Sequence, residues 1–167
     1  MRTQSPAAHS IRNSPRGFTA VELVIVIAIV AVAAALALPD LSNLLVNQRL
    51  RSAGTDLMSS LIVARSEAIK RNGPVEVRPA TGVDWTQGWV VNATVSNEQL
   101  DKRNPLGPSV AVSLAPASIA YQHNGRLNSA TTNKVQFSDS RSGSALSPRC
   151  LVIDPSGIPK LILGACA

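Results

Sequence analysis

The amino-acid sequence predicts an α+β chain, with one long helix first and an antiparallel β region after it. Three observations carry this. Between Ala20 and Leu38 the only charged residue is Glu22. From Val46 to Ala68 apolar residues recur every three or four positions, the period of a helix with one buried stripe. After Pro74 the apolar runs shorten to strand length, and turn-rich stretches separate them. With 167 residues, the chain has room for one compact domain and an appendage rather than two full domains.

The first 17 residues hold Arg2, Arg12, Arg16 and His9 and no acid. They account for much of the formal charge of +6: without their three arginines, 13 basic residues face 10 acids, a net of +3. Such a mild excess reads as a solvated surface, not a nucleic-acid footprint. Aromatic residues make up 3% of the chain, so stacking platforms for single-stranded nucleic acid are scarce.

The run Ala20–Leu38 would span roughly 28 Å as a helix, close to the ~30 Å hydrocarbon core of a bilayer. Its basic flank should stay in the cytoplasm, with the remainder of the chain outside. A plain single-pass anchor fits this, as does a secretory signal cut before Leu38, because Ala35-Leu36-Ala37 is an A-x-A-like peptidase site. A signal usually has an apolar core of about 7–15 residues, shorter than this one. Glu22 fits neither reading, since an ionised carboxylate at mid-membrane costs roughly 2.5–3.5 kcal/mol on insertion scales.

Pro39 removes a helical hydrogen bond to the Ala35 carbonyl, which predicts a kink or local unwinding there. Beyond it, Val46, Leu50, Ala53, Leu57, Leu61, Ala64 and Ala68 form the apolar stripe. Arg49, Arg51, Asp56, Arg65, Glu67, Lys70 and Arg71 fall on the wet remainder. Asn72-Gly73-Pro74 stops the helix. The stripe is expected to cover a sheet built from Val75–Pro79, Gly88–Val95, Val110–Leu114, Ile119–Gln122, Lys134–Phe137, Leu151–Asp154 and Lys160–Leu163. No repeat of solenoid length is visible.

Cys150 and Cys166 leave no odd thiol. Behind an export segment, an even pair suggests an oxidising compartment and one disulfide. Zinc is the rival reading, but two cysteines with no nearby histidine make a poor site. With a turn near Ser156, Cys150 lies opposite Ile162, so the chain after Leu163 must fold back to bring Cys166 to it. No nucleotide-binding glycine motif, H-E-x-x-H or C-x-x-C is present. Beyond residue 17, His123 is the only histidine, and nothing near it in sequence supplies a nucleophile and an orienting group. Neither an enzyme, a metal site nor a cofactor is expected.

Gly17-Phe18-Thr19-Ala20-Val21-Glu22-Leu23 resembles the prepilin cleavage and methylation site of type IV pilins and type II secretion pseudopilins. Ala20 departs from it, where a larger aliphatic residue is usual. Within Leu57–Gly73, the A-R-S-E-A-x-x-R-N portion resembles the helix end of the GspH/FimT group of minor pilins. Trp85-Thr86-Gln87-Gly88-Trp89 resembles that group's W-x-x-G-W element, and Cys150–Cys166 its terminal hairpin. The resemblance covers most of the chain from Gly17 onward and is weakest over Asn92–Pro108. On the residues alone, the two tryptophans read as core or sheet-edge groups, and Arg65 and Glu67 as a solvated helix face.

The resemblance implies a pilin fold with a leader over 1–17, a filament-core and membrane helix over 18–39, its amphipathic half over 40–73 and a periplasmic β domain over 74–167. It implies cleavage after Gly17 by a prepilin peptidase and methylation of Phe18. The new amine of one subunit would then pair with Glu22 of its neighbour, fixing axial register at low dielectric where either charge alone is unfavourable. Its partners would be the peptidase, the inner membrane and other major and minor pilins or pseudopilins, in a pilus or a pseudopilus. Some members of the group bind DNA through a terminal G-R-x-R loop. Here that place is Gly157-Ile158-Pro159-Lys160, with both arginines gone and phosphate-neutralising charge reduced. DNA is therefore the less favoured partner, by way of a patch of Arg141, Arg149 and Lys160.

Overall fold

A computed structural model describes residues 17–128 and 133–167, and for residues 36–40 only the backbone. Arg2, Arg12, Arg16 and His9 of the expected leader lie outside the described residues, as does the side chain of Pro39. The chain divides into two compact units, Met1–Pro39 and Asp40–Ala167. Helix α1 runs from Ala20 to Lys70, and Pro39 lies within those bounds.

In the first unit, the helical side chains of residues 20–35 are exposed all round. Leu23, Ile27 and Val32 each leave more than half of their surface uncovered. Among the described residues, no helix is long and apolar enough to cross a membrane. The stretch with described side chains spans about 24 Å, short of the ~30 Å core; the expected span to Leu38 ends outside it.

The second unit holds the remainder of α1 and eight strands in two antiparallel sheets. The strands are β1 (Val75–Pro79), β2 (Trp89–Ala93), β3 (Glu98–Lys102), β4 (Val110–Leu114), β5 (Ile119–Tyr121), β6 (Asn133–Asp139), β7 (Arg149–Ile153) and β8 (Pro159–Leu163). One sheet has the order β3-β2-β1-β5 and the other β4-β6-β7-β8. All seven residues of the predicted stripe are buried and join one core with Val75, Val77, Tyr121, Phe137, Leu151 and Ile153. The amphipathic half of the helix thus serves both sheets.

Seven of the strands fall where the alternation of apolar residues puts them. β3 is the addition. Its sequence, EQLDK, has one apolar residue and sits at a sheet edge with Glu98, Gln99 and Lys102 exposed, so no buried face imposes a period of two. The helix ends as expected. Asn72 adopts φ +49, and the amides of Asn72 and Gly73 bond the carbonyls of Ile69 and Ala68, a Schellman closure with asparagine in the left-handed position.

The last two strands pair with Cys150 opposite Ile162. The chain then folds back: the Gly164 amide bonds the Pro148 carbonyl, and the Cys166 amide donates to Gln136 Oε1 at 2.7 Å. Cys150 and Cys166 form a disulfide, with their Cα atoms 5.2 Å apart. Cys150 is fully buried but not part of the inner core, so the bridge and tail close the outer face of β7. Cys166→Ser should lower unfolding stability by about 3 kcal/mol on the chain-entropy model. The shift in denaturation midpoint should vanish when the native chain is compared with it under reducing conditions.

Candidate assembly site

Gly17 and Phe18 precede α1, and Phe18 is 80% exposed. Among the described residues, a Cβ on Gly17 would meet nothing within 4 Å, so no packing contact among them asks for glycine at this position. Thr19 caps the helix: its Oγ1 accepts from the Glu22 amide at 3.2 Å, and its carbonyl accepts from the Leu23 amide at 3.2 Å. Glu22 is therefore the third helical residue of a T-x-x-E capping pattern, favourably placed at the positive end of the helix dipole. That pattern was legible in Thr19–Glu22 beside the processing pattern, and it gives the carboxylate a second, local reason to be there. Among the described residues, no group bonds its carboxylate.

Of the three cations expected to meet DNA, Arg149 and Lys160 line one groove and Arg141 bonds the helix one turn away. Arg141 is committed to a clamp: its Nη2 lies 2.7 Å from Asp139 Oδ2, and its guanidinium donates to Ser42 Oγ at 2.7 Å and Asn43 Oδ1 at 3.0 Å. Ser144 adds a hydroxyl bond to the same carboxylate. Arg149 donates to Asn47 and, with Lys160 and Arg51, lines a groove of about 510 Å³ between α1 and β8. Arg141 and Arg149 thus bond side chains one turn apart on α1, Asn43 and Asn47, while Asp139 at the end of β6 holds Arg141, two residues on.

The Arg141 guanidinium beside Asp139 holds its carboxyl well below the usual carboxylate range, against the opposing effect of burial. A lowered folded-state value contributes stability above the unfolded-state value, near 3.8. That contribution is lost as pH falls below it. On acid titration from pH 7, Glu67, held below its ordinary value of 4.5 by Arg71, should begin to lose its contribution first, and the Asp139 contribution should follow below about pH 4. Asp139→Asn should flatten part of that acid limb in denaturation midpoints measured against pH. A residual slope remains from Asp84 and Asp154, which hydrogen bonds from Thr86 and Ser156 hold below their ordinary values.

Arg65 corrects the expectation of a merely solvated face. It is half-buried, and its Nε donates to the Gly125 carbonyl at 3.0 Å. Glu67 pairs with Arg71 and Lys70, and Arg71 reaches on to Glu98 of β3 at 2.6 Å. Close by, Tyr121 Oη donates to the Gly157 carbonyl at 3.2 Å. Gly157 has φ +84, and a Cβ there would run into the Gly125 carbonyl and the Tyr121 ring, so glycine is required on both counts.

Both tryptophans are core groups, as the residues alone suggested. Trp85 lies in a one-turn 3-10 segment and bonds the Pro116 carbonyl at 2.8 Å. Trp89 opens β2, and its Nε1 donates to buried Ser60 Oγ at 3.0 Å. His123 sits exposed in the turn before Gly125. Among the described residues, no group of His, Cys, Asp and Glu is placed to hold a metal ion.

Comparison with known proteins matches residues 53–157 to the family model of the type II transport protein GspH. No curated protein matches the chain. Two crystal forms of the type IV minor pilin FimU of Pseudomonas aeruginosa strain PAO1 are similar in fold. The first has a TM-score of 0.58 at 21% identity, covering 71% of this chain and 90% of that one. The second has a TM-score of 0.55 at 21% identity, covering 69% and 92%.

Proposed function

Because the chain belongs to the GspH family, a group of pilin-like structural subunits, we propose that it is a minor pilin that helps initiate or cap assembly of a type IV pilus. A structural role without catalysis is part of this reading. Processing would follow the prepilin route: insertion in the inner membrane with residues 1–17 cytoplasmic, cleavage after Gly17 and methylation of Phe18. Residues 18–39 would then enter the filament core, while 40–73 stay packed on the outward β domain over 74–167. Pro39, at the unit boundary, would be the place where that helix yields.

The observation that supports this best is the start of α1. A glycine that no packing contact among the described residues requires precedes an exposed phenylalanine. An apolar helix follows, carrying one carboxylate and bare on every side. Such a helix needs a bilayer or neighbouring helices around it. Mass analysis of the mature protein tests the reading. A first residue of methylated Phe18 is expected, whereas a chain starting at Leu38 would have lost the helix and overturns it.

A pseudopilin of a type II secretion system is the second reading, favoured by the family's description as a type II transport protein. Deletion separates the two. Loss of surface pili with normal protein export supports the pilus, and the reverse supports the secretion system. DNA uptake has less support, since Arg141 is paired with Asp139 and the terminal Gly157-Ile158-Pro159-Lys160 loop lacks both arginines.

A further inference from the structure

β8 is the last strand of its sheet and pairs with β7 alone. The Gly164 amide bonds the Pro148 carbonyl, and the Asp154 amide bonds the Ile158 carbonyl. In an antiparallel ladder, bonded and non-bonded pairs alternate. With the register Cys150–Ile162 and Val152–Lys160, those two pairs exchange the hydrogen bonds. Leu161 and Leu163 therefore turn their N–H and C=O groups away from β7, to the open edge.

Natural sheets normally protect such an edge with charge, proline, a bulge or a covering segment. Here Pro159 blocks only the first position, while Ile162 and Leu163 are 38% and 65% exposed. Beside the edge runs the groove of about 510 Å³, whose far wall is Arg51, Thr55 and Met58 of α1. Its charged lining is Arg51, Arg149 and Lys160, with no carboxylate. Arg149 Nε is buried there and makes no hydrogen bond among the described residues.

We propose that this edge receives an extended, carboxylate-bearing segment of a partner protein, which adds to the sheet as a fifth strand. Two features select that occupant together. Outward amides at every second residue of β8 fit a polypeptide backbone. The all-cationic groove selects acidic side chains on the strand face that meets α1, and like charge there excludes basic segments. The inference holds whether or not the chain enters a filament.

The test uses the full chain in detergent micelles and three blocked fluorescent peptides. The first is Val-Glu-Val-Glu-Val-Thr, and the other two replace its glutamates with glutamine or lysine. The acidic peptide should bind about tenfold more tightly than its glutamine counterpart at low salt, and the lysine peptide more weakly still. At saturation, amide hydrogen exchange should slow at Leu161 and Leu163 and stay unchanged at Lys160 and Ile162. Leu163→Pro deletes one outward N–H without touching the β7 ladder and should weaken binding about fivefold or more. Arg51→Glu should shift the preference towards the lysine peptide. Three results overturn the proposal: no binding at about 1 mM peptide, equal binding of all three peptides, or binding that leaves Leu161 and Leu163 unprotected. A fourth is tighter binding of a duplex DNA that displaces the peptide and slows neither amide.

Discussion

Glu22→Ala should lower recovery of the chain in sheared filaments by about tenfold or more, the scale of one lost charge-assisted contact, while the folded second unit stays intact. Two sources are open to the effect. The carboxylate would pair with the amine of a neighbouring protomer, and Glu22 also stands at the third helical position of the turn that Thr19 caps through the Glu22 amide. Glu22→Gln separates them, because glutamine serves at the third position of a capping box but carries no charge. If register comes from an ion pair, Glu22→Gln fails to incorporate almost as badly as Glu22→Ala. If the carboxylate serves only the cap, Glu22→Gln incorporates normally. Thr19→Ala supplies the complement: it removes the accepting hydroxyl, at a helix cost of about 1 kcal/mol, and leaves the charge in place. Immunoblots of filament and membrane fractions read all three variants.

Trp89→Ala should destabilise the second unit by about 3–5 kcal/mol, the usual cost of deleting a large buried aromatic. The side chain is 1% exposed and packs beside Trp85 at a ring separation of 6.5 Å. Its removal also strips Ser60 of the indole donor, leaving the hydroxyl with a bond of 3.4 Å to Asp101 of β3. Trp89→Phe keeps most of the apolar contact and loses that bond, for a cost nearer about 1–2 kcal/mol. Urea unfolding of the detergent-solubilised chain, followed by circular dichroism, gives both values. Hydrogen exchange should show β3 opening first, since it is an edge strand with an exposed polar sequence.

The two variants also mark where the sequence was informative. Periodicity sufficed for the packed half of the helix, because a stripe that must be buried leaves a period of 3.6 from Val46 to Ala68. It sufficed for β7 and β8, whose alternating residues and Asp-Pro-Ser-Gly turn set the register that puts Cys150 opposite Ile162. It failed at β3, where a single partly buried apolar residue, Leu100, is too little to set a period and the strand is made by pairing with β2. It failed for polar side chains as well. Nothing in the spacing of Arg65 or Arg141 shows that one reaches a loop carbonyl 60 residues away and the other residues 42 and 43 of the helix. Those contacts arise from three-dimensional closure, so a basic residue read as free charge can turn out to be a tether. At the amino terminus the sequence carries two overlapping patterns, the cap and the processing pattern. Thr19–Glu22 serves as a cap whatever else Glu22 does.

The clamp of Asp139, Arg141, Ser42 and Asn43 has a mechanical corollary. It fastens the first turns of the second unit's helix to the end of a sheet through several bonds acting side by side. Within the second unit these bonds hold the helix at residues 42 and 43, ahead of the buried stripe that starts at Val46, so they are the first side-chain contacts loaded when the helix is drawn away from that end.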